Sequence, residues 1–294
     1  MTRAVVFAYH TIGVRCLEVL LQQGLQVPLV VTHRDNPKEN IWFGSVAACA
    51  RQHDVPVIFP DDPNDPAVVH MIRDLAPDFI FSFYYRHMLG ANLLDIPPRG
   101  AYNLHGSLLP LYRGRVPVNW AVIRGETETG ATLHAMTLKP DQGDIVAQQP
   151  VPIGPDDTAH DVFLKVMDAG VGALREVLPR LVSGHAVHRS QNLSAGHYFG
   201  GRRPEDGRID WSKTAREIHN LVRGVAPPYP GAFTTLKGKA ARILGTSLTA
   251  RPGAIAQTTG SDGVPLYLMS MELEGVSLDA TTFKSLFPDG VRPD

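Results

Sequence analysis

Residues 4–32 read AVVFAYHTIGVRCLEVLLQQGLQVPLVVT. Two apolar runs, AVVFAY from Ala4 and VPLVVT from Val27, enclose a stretch with helical spacing over residues 14–23. Apolar runs without alternation are typical of strands buried on both faces, and a helix between two of them is typical of a β-α-β unit. The opening of the chain therefore predicts two parallel strands joined by a right-handed helical crossover.

The same alternation continues to about residue 100. Helical spacing over 41–53 precedes the apolar run VPVIF from Val55, and helical spacing over 66–75 precedes DFIFSF from Asp78. This repeat predicts an α/β fold with an open, Rossmann-like, mostly parallel sheet. Ligands of such sheets bind beyond the carboxyl ends of the strands, so the residues that follow each strand are the first candidates for function.

The rest of the chain predicts a second, smaller domain. A fifth strand is expected at AYNLH from Ala101, with further strands at TGATLHAM and DIVAQQPVPI and a long helix over 159–182. The pattern loosens after Ser183, and from about Pro204 short apolar segments between turn residues are typical of a small β-barrel. We therefore predict a Rossmann-like domain over 1–200 and a barrel-like C-terminal domain over 204–294.

Composition narrows the class of protein. The chain has 294 residues, 44% hydrophobic and 19% charged, with a formal charge of −1. These values exclude collagen, long disorder and coiled coil, and they provide no basic field for nucleic acid or an acidic membrane. Cys16 and Cys49 are the only cysteines, and the sequence contains no signal-peptide core and no apolar run of membrane-spanning length. We expect a cytoplasmic protein without nucleic-acid or membrane partners.

Several common catalytic motifs are absent from the sequence. The first strand is followed by AYHTIG, where a dinucleotide-binding turn would read GxGxxG. The sequence also lacks GxxxxGK[ST], HExxH and GxSxG. Nicotinamide redox chemistry, P-loop phosphoryl transfer, zincin chemistry and serine-hydrolase chemistry are therefore disfavoured.

Unusual polar residues concentrate at the fifth strand and the loop after it. Asn103 and His105 share one face of AYNLH because side chains alternate along a strand. They form either a structural hydrogen-bonded pair or part of a reactive site. The following SLLPLYRGRVPVNW is shaped by Pro and Gly and carries Arg113 and Arg115, which favours an anion-positioning loop over a solvated surface loop.

A second polar turn, KPDQGDIVAQ, contains Asp141 and Asp144. Asp144 directly precedes a predicted strand and is the better candidate for capping the turn, which leaves Asp141 free to meet His105. A carboxylate beside an imidazole favours its charged form and fixes its tautomer. Together with His87 and His134 these side chains could in principle hold a metal, but none has helical ligand spacing and His134 could lie on the opposite face. We expect no metal.

The stretch NLHGSLLPLYRGRVPVNWAVIRGETETGATLHAMTLKPDQGDIVAQ, which starts at Asn103, closely resembles the signature of 10-formyltetrahydrofolate-dependent formyltransferases. FSFYYRHM and FGGRRPEDGRIDW extend the resemblance, which covers the chain from AVVFAYH to about PPYPGAF. It implies that residues 1–200 form a folate-binding catalytic domain. The implied activity is transfer of a formyl group from 10-formyltetrahydrofolate to an amine.

The resemblance also implies the residues of the site. The catalytic residues would be Asn103, His105 and Asp141, whereas Asp144 is not a catalytic residue of the family. The residues expected to contact folate are His87, Met88, Leu89, Arg115, Thr137, Leu138, Lys139, Pro140 and Asp141. Met88 matches the family by position, and Leu89 departs from its pattern.

Within the family, the same stretches resemble the branch that formylates UDP-4-amino-4-deoxy-L-arabinose. This implies a small-molecule substrate, a nucleotide-linked 4-amino sugar. Arg202 and Arg203 are candidate contacts for its diphosphate, although adjacent arginines on a linker are as often solvated. No dehydrogenase half follows Asp294, so we expect formylation alone, and nothing in the sequence predicts an oligomeric state.

Three alternatives stay open: another nucleotide 4-amino sugar as substrate, a methionyl-tRNA formyltransferase, and a catalytically silent module that binds folate or a nucleotide sugar. The tRNA alternative requires a polyanion-binding second domain. From Gly201 onward there are 12 basic and 10 acidic residues, but after Gly253 there are 2 and 6, a poor surface for RNA. Loss of a catalytic residue would favour the silent module, and all three implied residues are present.

Overall fold

The computed structural model describes residues 1–288 and 290, which form two compact units. Unit 1 consists of residues 1–114, 130–151 and 165–198. Unit 2 consists of residues 115–129 and 152–164 together with the described residues from 199 onward. The two shorter segments cluster with the C-terminal part of the chain, and the domain bounds expected from the sequence, 1–200 and 204–294, stay a prediction.

Unit 1 contains a seven-stranded sheet. The short strand β6 lies outside this sheet. The strands from β1 to β8 are β1 (Arg3–Ala8), β2 (Gln26–Val31), β3 (Val57–Ile58), β4 (Phe79–Phe83), β5 (Ala101–His105), β6 (Arg113–Gly114), β7 (Glu128–Ala135) and β8 (Ile145–Pro152). Their order in the sheet is β3-β2-β1-β4-β5-β7-β8. The first five of these are parallel to one another, whereas β7 runs antiparallel to β5.

The helices up to residue 183 are α1 (His10–Gln22), α2 (Val46–Gln52), α3 (Pro66–Asp74), α4 (Ala91–Leu94), α5 (Pro117–Ile123) and α6 (Ala159–Ser183). The helix expected over 41–53 is present only from Val46. Its start is set by Ser45, whose Oγ accepts a hydrogen bond from the N–H of Ala48 at 3.2 Å, a standard N-cap. Helix α3 starts with Pro66 behind the capping side chain of Asp65, close to the predicted position.

The apolar strands lie in the core of unit 1, as their composition predicted. Val5 and Phe7 of β1 and Ile80 of β4 are fully buried, as are Val6 and Phe81 on the alternate positions. Both faces of these central strands are therefore covered, which is what a parallel sheet flanked by helices requires.

Unit 2 contains an antiparallel sheet and several helices, among them α5. After β9 (Tyr198–Phe199), its elements are α7 (Ala215–Val225), β10 (Ala232–Leu236), β11 (Lys239–Ser247), β12 (Ala256–Thr259), β13 (Pro265–Leu273), β14 (Val276–Ser277) and α8 (Ala280–Leu286). The strand order is β10-β11-β13-β12, with β14 paired to β13. Ile218, Val222, Ile243, Leu268 and Phe283 share its core. The predicted fold class, a mostly parallel Rossmann-like sheet followed by a smaller barrel-like domain, is confirmed, the latter as a half-barrel.

Helix α7 explains why residues 152–164 belong to unit 2. The buried guanidinium of Arg223 donates from Nη1 to the carbonyl oxygens of Gly154 and Asp157, at 3.2 and 2.9 Å. His219 Nε2 lies 3.1 Å from the carbonyl oxygen of Pro155. In the same unit, Asn119 of α5 donates to the carbonyl oxygen of Gly224 at 2.9 Å. These bonds link α7 to residues 154–157 and to α5, a long-range pairing that sequence periodicity does not reveal.

Among residues 1–288 and 290, no helix has both the length and the apolar character needed to cross a membrane.

Candidate active site

Strands β5 and β7 bring polar side chains together at the carboxyl end of β5 in the unit 1 sheet. In their antiparallel register Asn103 lies opposite His134, and His105 lies opposite Thr132. The turn after β7 returns Asp141 to the same place, where its Oδ1 lies 3.5 Å from His105 Nδ1. The side chains of His105 and Asp141 are only 6% and 10% exposed. The structure thus brings together Asn103, His105 and Asp141, residues from two separate segments of the chain.

The turn that carries Asp141 is held in place from several sides. Asp141 has a φ of 57°, in the left-handed region, and its Oδ2 accepts a hydrogen bond from the N–H of Gly114 at 2.7 Å. Gln191 Nε2 donates to the carbonyl oxygens of Asp141 and Gly143, at 3.1 and 2.6 Å. A Cβ on Gly143 would lie 1.9 Å from the carbonyl oxygen of Ala135, so only glycine allows this approach. Backbone packing therefore orients the carboxylate.

The protonation states of His105 and Asp141 follow from their surroundings. His105 Nε2 lies 2.9 Å from the carbonyl oxygen of Tyr112, which can only accept, so Nε2 carries the hydrogen. Burial lowers the pKa of His105 below its usual value, although the carboxylate of Asp141 opposes this. Burial alone would raise the pKa of Asp141, but His105, His134 and the N–H of Gly114 together lower it. At neutral pH the pair is a neutral imidazole beside a carboxylate.

His134, named in the sequence only as a candidate metal ligand, is a further residue of this site. The sequence left open whether it faces away from the site, but it lies on the same face as Asn103. Its Nδ1 lies 2.8 Å from the carbonyl oxygen of Ala135, and its Nε2 lies 3.2 Å from Asn103 Nδ2 and 3.5 Å from Asp141 Oδ1. Because the amide nitrogen of Asn103 can only donate, His134 Nε2 is the acceptor of this hydrogen bond and Nδ1 faces the Ala135 carbonyl oxygen. The β5–β7 register is the signal that would have found it.

No group of three or more His, Cys, Asp or Glu side chains in the described residues is arranged to hold a metal ion.

The chain matches the family model described as formyl transferase over residues 3–178, which is more than half of its length. The chain belongs to the formyltransferase family. Its residues 202–264 also match the model described as formyl transferase, C-terminal domain.

Solved structures share the fold of this formyltransferase. An N-formyltransferase from Helicobacter canadensis, in complex with folinic acid and dTDP-3-aminofucose, superimposes with a TM-score of 0.72 at 21% identity, covering 91% of this chain and 99% of that one. The sugar 3N-formyltransferase WlaRD, with dTDP and 5-N-formyl-THF, gives 0.72 at 18% identity and coverages of 93% and 98%. A 4-N formyltransferase from Francisella tularensis gives 0.64 at 21% identity, with 79% and 91% covered.

The residues expected to contact folate in this formyltransferase differ in exposure. Met88 and Leu138 are 52% and 64% exposed, so the apolar side chains of both are accessible to solvent. His87 is also exposed, and Asn64 Nδ2 donates to the carbonyl oxygen of Met88 at 3.0 Å. Leu89 is only 2% exposed and belongs to the core of unit 1. The side chain of Leu89 thus packs in the core, and the expected folate contact at Leu89 stays a prediction.

The remaining expected folate contacts lie mostly at the surface of the turn before Asp141. Thr137 and Lys139 are exposed, and Thr137 Oγ1 donates to the carbonyl oxygen of Lys139 at 2.8 Å. Pro140 is half-buried. This short, exposed strip continues directly into the buried carboxylate of Asp141.

The arginines that the sequence predicts to bind anions differ in burial and in hydrogen-bond partners. Arg113 is buried, and its Nη2 donates to the carbonyl oxygens of Leu193 and Gly196 at 3.1 and 2.8 Å. The expectation that Arg113 positions an anion is therefore wrong, because its guanidinium bonds backbone carbonyls in unit 1. Arg115 and Arg203 are exposed in unit 2, and Arg202 is half-buried there.

Proposed function

We propose that this formyltransferase transfers the formyl group of 10-formyltetrahydrofolate to the amino group of a nucleotide-linked 4-amino sugar, UDP-4-amino-4-deoxy-L-arabinose. The observation that carries the proposal is the buried contact of His105 with Asp141 beside the amide of Asn103. Amide N–H groups, a neutral imidazole and a carboxylate are what amine acylation without a metal requires. The catalytic roles of these three residues are part of the proposal.

The folate supplies, when bound, a formyl carbonyl group that an amine can attack. The exposed side chains of Met88 and Leu138 suit its flat ring. Asn103 keeps one amide N–H beyond the one bonded to His134, and we assign that hydrogen to the carbonyl oxygen on which negative charge develops. Losing one such donor typically costs about 3 to 4 kcal/mol of transition-state stabilisation.

His105 is assigned the proton transfer. Because Nε2 already donates to Tyr112, Nδ1 is the nitrogen that takes the proton from the attacking amine, and it gives that proton to N10 of the folate as the bond between N10 and the formyl carbon breaks. The resulting imidazolium has an acceptor beside each nitrogen, the Tyr112 carbonyl oxygen and the Asp141 carboxylate. Asp141 thus stabilises the charged ring, whereas the backbone of Tyr112 selects the tautomer of the neutral ring.

The identity of the sugar nucleotide is the more specific part of the proposal. The motifs FSFYYRHM and FGGRRPEDGRIDW support UDP-4-amino-4-deoxy-L-arabinose through their resemblance to the formyltransferase domain of the bifunctional polymyxin-resistance protein, which implies a role in lipid A modification. Complexes of the neighbouring structures with dTDP-3-aminofucose and dTDP support a nucleotide sugar more generally. Arg202 and Arg203 are proposed contacts for the diphosphate of the sugar nucleotide. We propose that the protein has no nucleic-acid or membrane partner and that it acts in the cytoplasm.

A second candidate function is formylation of another nucleotide 4-amino sugar, which the structural likeness to a 4-N formyltransferase from Francisella tularensis favours. The acidic balance after Gly253 disfavours tRNA as substrate.

The test is formyl transfer by the full chain with 10-formyltetrahydrofolate and a panel of uridine- and thymidine-linked amino sugars. We expect mass spectrometry to detect one added carbonyl unit on UDP-4-amino-4-deoxy-L-arabinose. His105→Ala should lower turnover about 100- to 10,000-fold while retaining the wild-type melting temperature. Folate binding without turnover of any sugar in the panel would contradict the proposal and favour a binding module.

A further inference from the structure

Arg113 lies between two backbone groups that contact the candidate catalytic pair. The carbonyl oxygen of Tyr112, the residue before it, lies 2.9 Å from His105 Nε2. The N–H of Gly114, the residue after it, donates to Asp141 Oδ2 at 2.7 Å. A movement of the backbone at Arg113 would therefore reach both His105 and Asp141.

Arg113 is attached to a segment of unit 1 that is distant in sequence. The residue is buried, and its Nη2 donates to the carbonyl oxygens of Leu193 and Gly196, at 3.1 and 2.8 Å. Its backbone N–H donates to the carbonyl oxygen of His197 at 3.1 Å. We call residues 193–197 the anchor segment. The side chain and the backbone of Arg113 are thus both bonded to the anchor segment.

The loop bends sharply on either side of Arg113, so its path depends on this attachment. Tyr112 and Gly114 have φ values of 54° and 103°, in the left-handed region that favours glycine. A tyrosine stays in that conformation only where the surrounding structure holds it there. The anchor segment also meets the loop at Gly196, where a Cβ would lie 1.9 Å from the carbonyl oxygen of Pro110. The anchor segment therefore fixes the direction in which the Tyr112 carbonyl group points.

We propose that Arg113 is a positioning residue, which selects the tautomer of His105 through the carbonyl group of Tyr112. A neutral imidazole carries one ring hydrogen, and each nitrogen of His105 has an acceptor beside it. With the loop attached, Nε2 lies 2.9 Å from the Tyr112 carbonyl oxygen, whereas Nδ1 lies 3.5 Å from Asp141 Oδ1, so the hydrogen occupies Nε2. Once the loop is released, the carboxylate is the stronger acceptor and draws the hydrogen to Nδ1.

The consequence for catalysis rests on the proposed function. Nδ1 of His105 is assigned the proton of the attacking amine, and a hydrogen already on Nδ1 blocks that step. The tautomer itself is a property of the protein without substrate, so it can be measured whether or not the chain formylates a sugar.

The first measurement is nitrogen NMR of the full chain with isotope-labelled histidine, with the His105 signals assigned by their absence in His105→Ala. The two ring nitrogens of a neutral histidine differ in chemical shift according to which one carries the hydrogen. We expect the hydrogen on Nε2 in wild type and on Nδ1 in Arg113→Met, since methionine fills much of the same space but donates no hydrogen bond.

Arg99→Met is the matched control. Arg99 Nη2 also donates to two backbone carbonyl oxygens of unit 1, those of Leu181 and Val182, but Arg99 precedes β5 whereas His105 ends it. This variant loses the same kind of hydrogen bonds without touching the loop of Tyr112. It should keep the hydrogen of His105 on Nε2 and the wild-type kcat, whatever its melting temperature.

The second measurement is steady-state formyl transfer. In Arg113→Met we expect kcat to fall about 10- to 100-fold, with the KM for 10-formyltetrahydrofolate within about twofold of wild type. Gly196→Ala provides a second variant in case Arg113→Met does not fold, because the new Cβ would push the anchor segment away from Pro110. It should change the tautomer and kcat in the same direction.

Four outcomes would overturn the role of Arg113. They are a hydrogen on Nδ1 in wild type, a hydrogen that stays on Nε2 in folded Arg113→Met or Gly196→Ala, the same tautomer change in Arg99→Met, and a tautomer change with wild-type kcat. A chain in which Arg113→Met moves the hydrogen, but which formylates no sugar even as wild type, would contradict the proposed function alone.

Discussion

His105 has an acceptor beside each ring nitrogen, the carbonyl oxygen of Tyr112 and the carboxylate of Asp141. Burial lowers the pKa of His105, and the negative charge of Asp141 raises it. Asp141→Asn should therefore lower the pKa of His105 further. We expect kcat to fall about 100-fold or more, because the imidazolium loses its counter-charge, while the acid limb of the pH–rate profile moves to lower pH.

The measurement is kcat/KM for wild type and Asp141→Asn across the acidic range. The limb arises because protonated His105 cannot accept a proton, so it should follow the pKa of that residue. An acid limb that moved to higher pH in the variant would show that another group controls it.

His134 acts on the site through Asn103. Its Nε2 accepts the Asn103 amide at 3.2 Å, so it determines which way the remaining amide N–H points. His134→Ala should lower kcat about 10-fold or more, since misdirected catalytic groups lose rate steeply. In the double variant with Asn103→Ala, we expect no loss beyond that of Asn103→Ala alone. Kinetics on the four proteins of this cycle test the coupling, and additive losses would contradict it.

The turn between β7 and β8 depends on one close backbone approach. In Gly143→Ala the new Cβ would meet the carbonyl oxygen of Ala135, so the turn that carries Asp141 must shift. We expect a stability loss of about 2 kcal/mol or more and a fall in kcat of about 100-fold. Gly172→Ala in α6 is the matched control, because its Cβ would meet nothing within 4 Å.

Gly172→Ala should raise stability by about 0.5 to 1 kcal/mol without changing kcat. Urea unfolding and steady-state rates of both variants provide the comparison. A Gly143→Ala protein as active as Gly172→Ala would show that the close approach is not required.

Helix α7 is attached to residues 154–157 through the side chain of Arg223. Arg223→Ala removes hydrogen bonds from a buried cation to the carbonyl oxygens of Gly154 and Asp157. We expect a loss of about 2 to 4 kcal/mol in the free energy of unfolding. Arg216→Ala, on the exposed face of the same helix, should change it by less than about 0.5 kcal/mol, as measured by urea unfolding. Equal losses in the two variants would contradict this role for Arg223.

At the scale of the whole molecule, buried histidines make stability depend on pH in both units. Burial lowers the pKa of His33 and His105 in unit 1 and of His219 in unit 2, that of His33 to about 4. The unfolded chain therefore binds more protons than the folded chain below the ordinary histidine pKa of 6.5. This contribution to stability is complete above pH 6.5 and is lost progressively as the pH falls toward 4.

Asp141 acts in the same direction at a lower pH, because its pKa is held below the usual carboxyl value and its contribution is lost only under stronger acid. Thermal unfolding between neutral pH and pH 5 should therefore show a falling melting temperature. His33→Phe should flatten part of that slope. A melting temperature that rose on acidification across this range would contradict the assignment of neutral buried histidines.

The sequence by itself determined the β-α-β alternation, the smaller C-terminal sheet and the shared face of Asn103 and His105. These features follow from local periodicity, which depends only on the geometry of strands and helices. The motif from Asn103 onward was also sufficient to indicate the family, since its residues are continuous in the chain.

Only the tertiary structure decided which side of the sheet His134 occupies, because its position depends on the register of β5 against β7, strands that are distant in sequence. The same holds for burial at single positions. Leu89 and Arg113 both lie in segments that the sequence predicts to be loops. The side chain of Leu89 nevertheless packs in the core, and the guanidinium of Arg113 donates to the backbone carbonyl oxygens of Leu193 and Gly196. Residues 152–164 belong to unit 2 because Arg223 and His219 satisfy their carbonyl groups, and no local pattern encodes such long-range pairing.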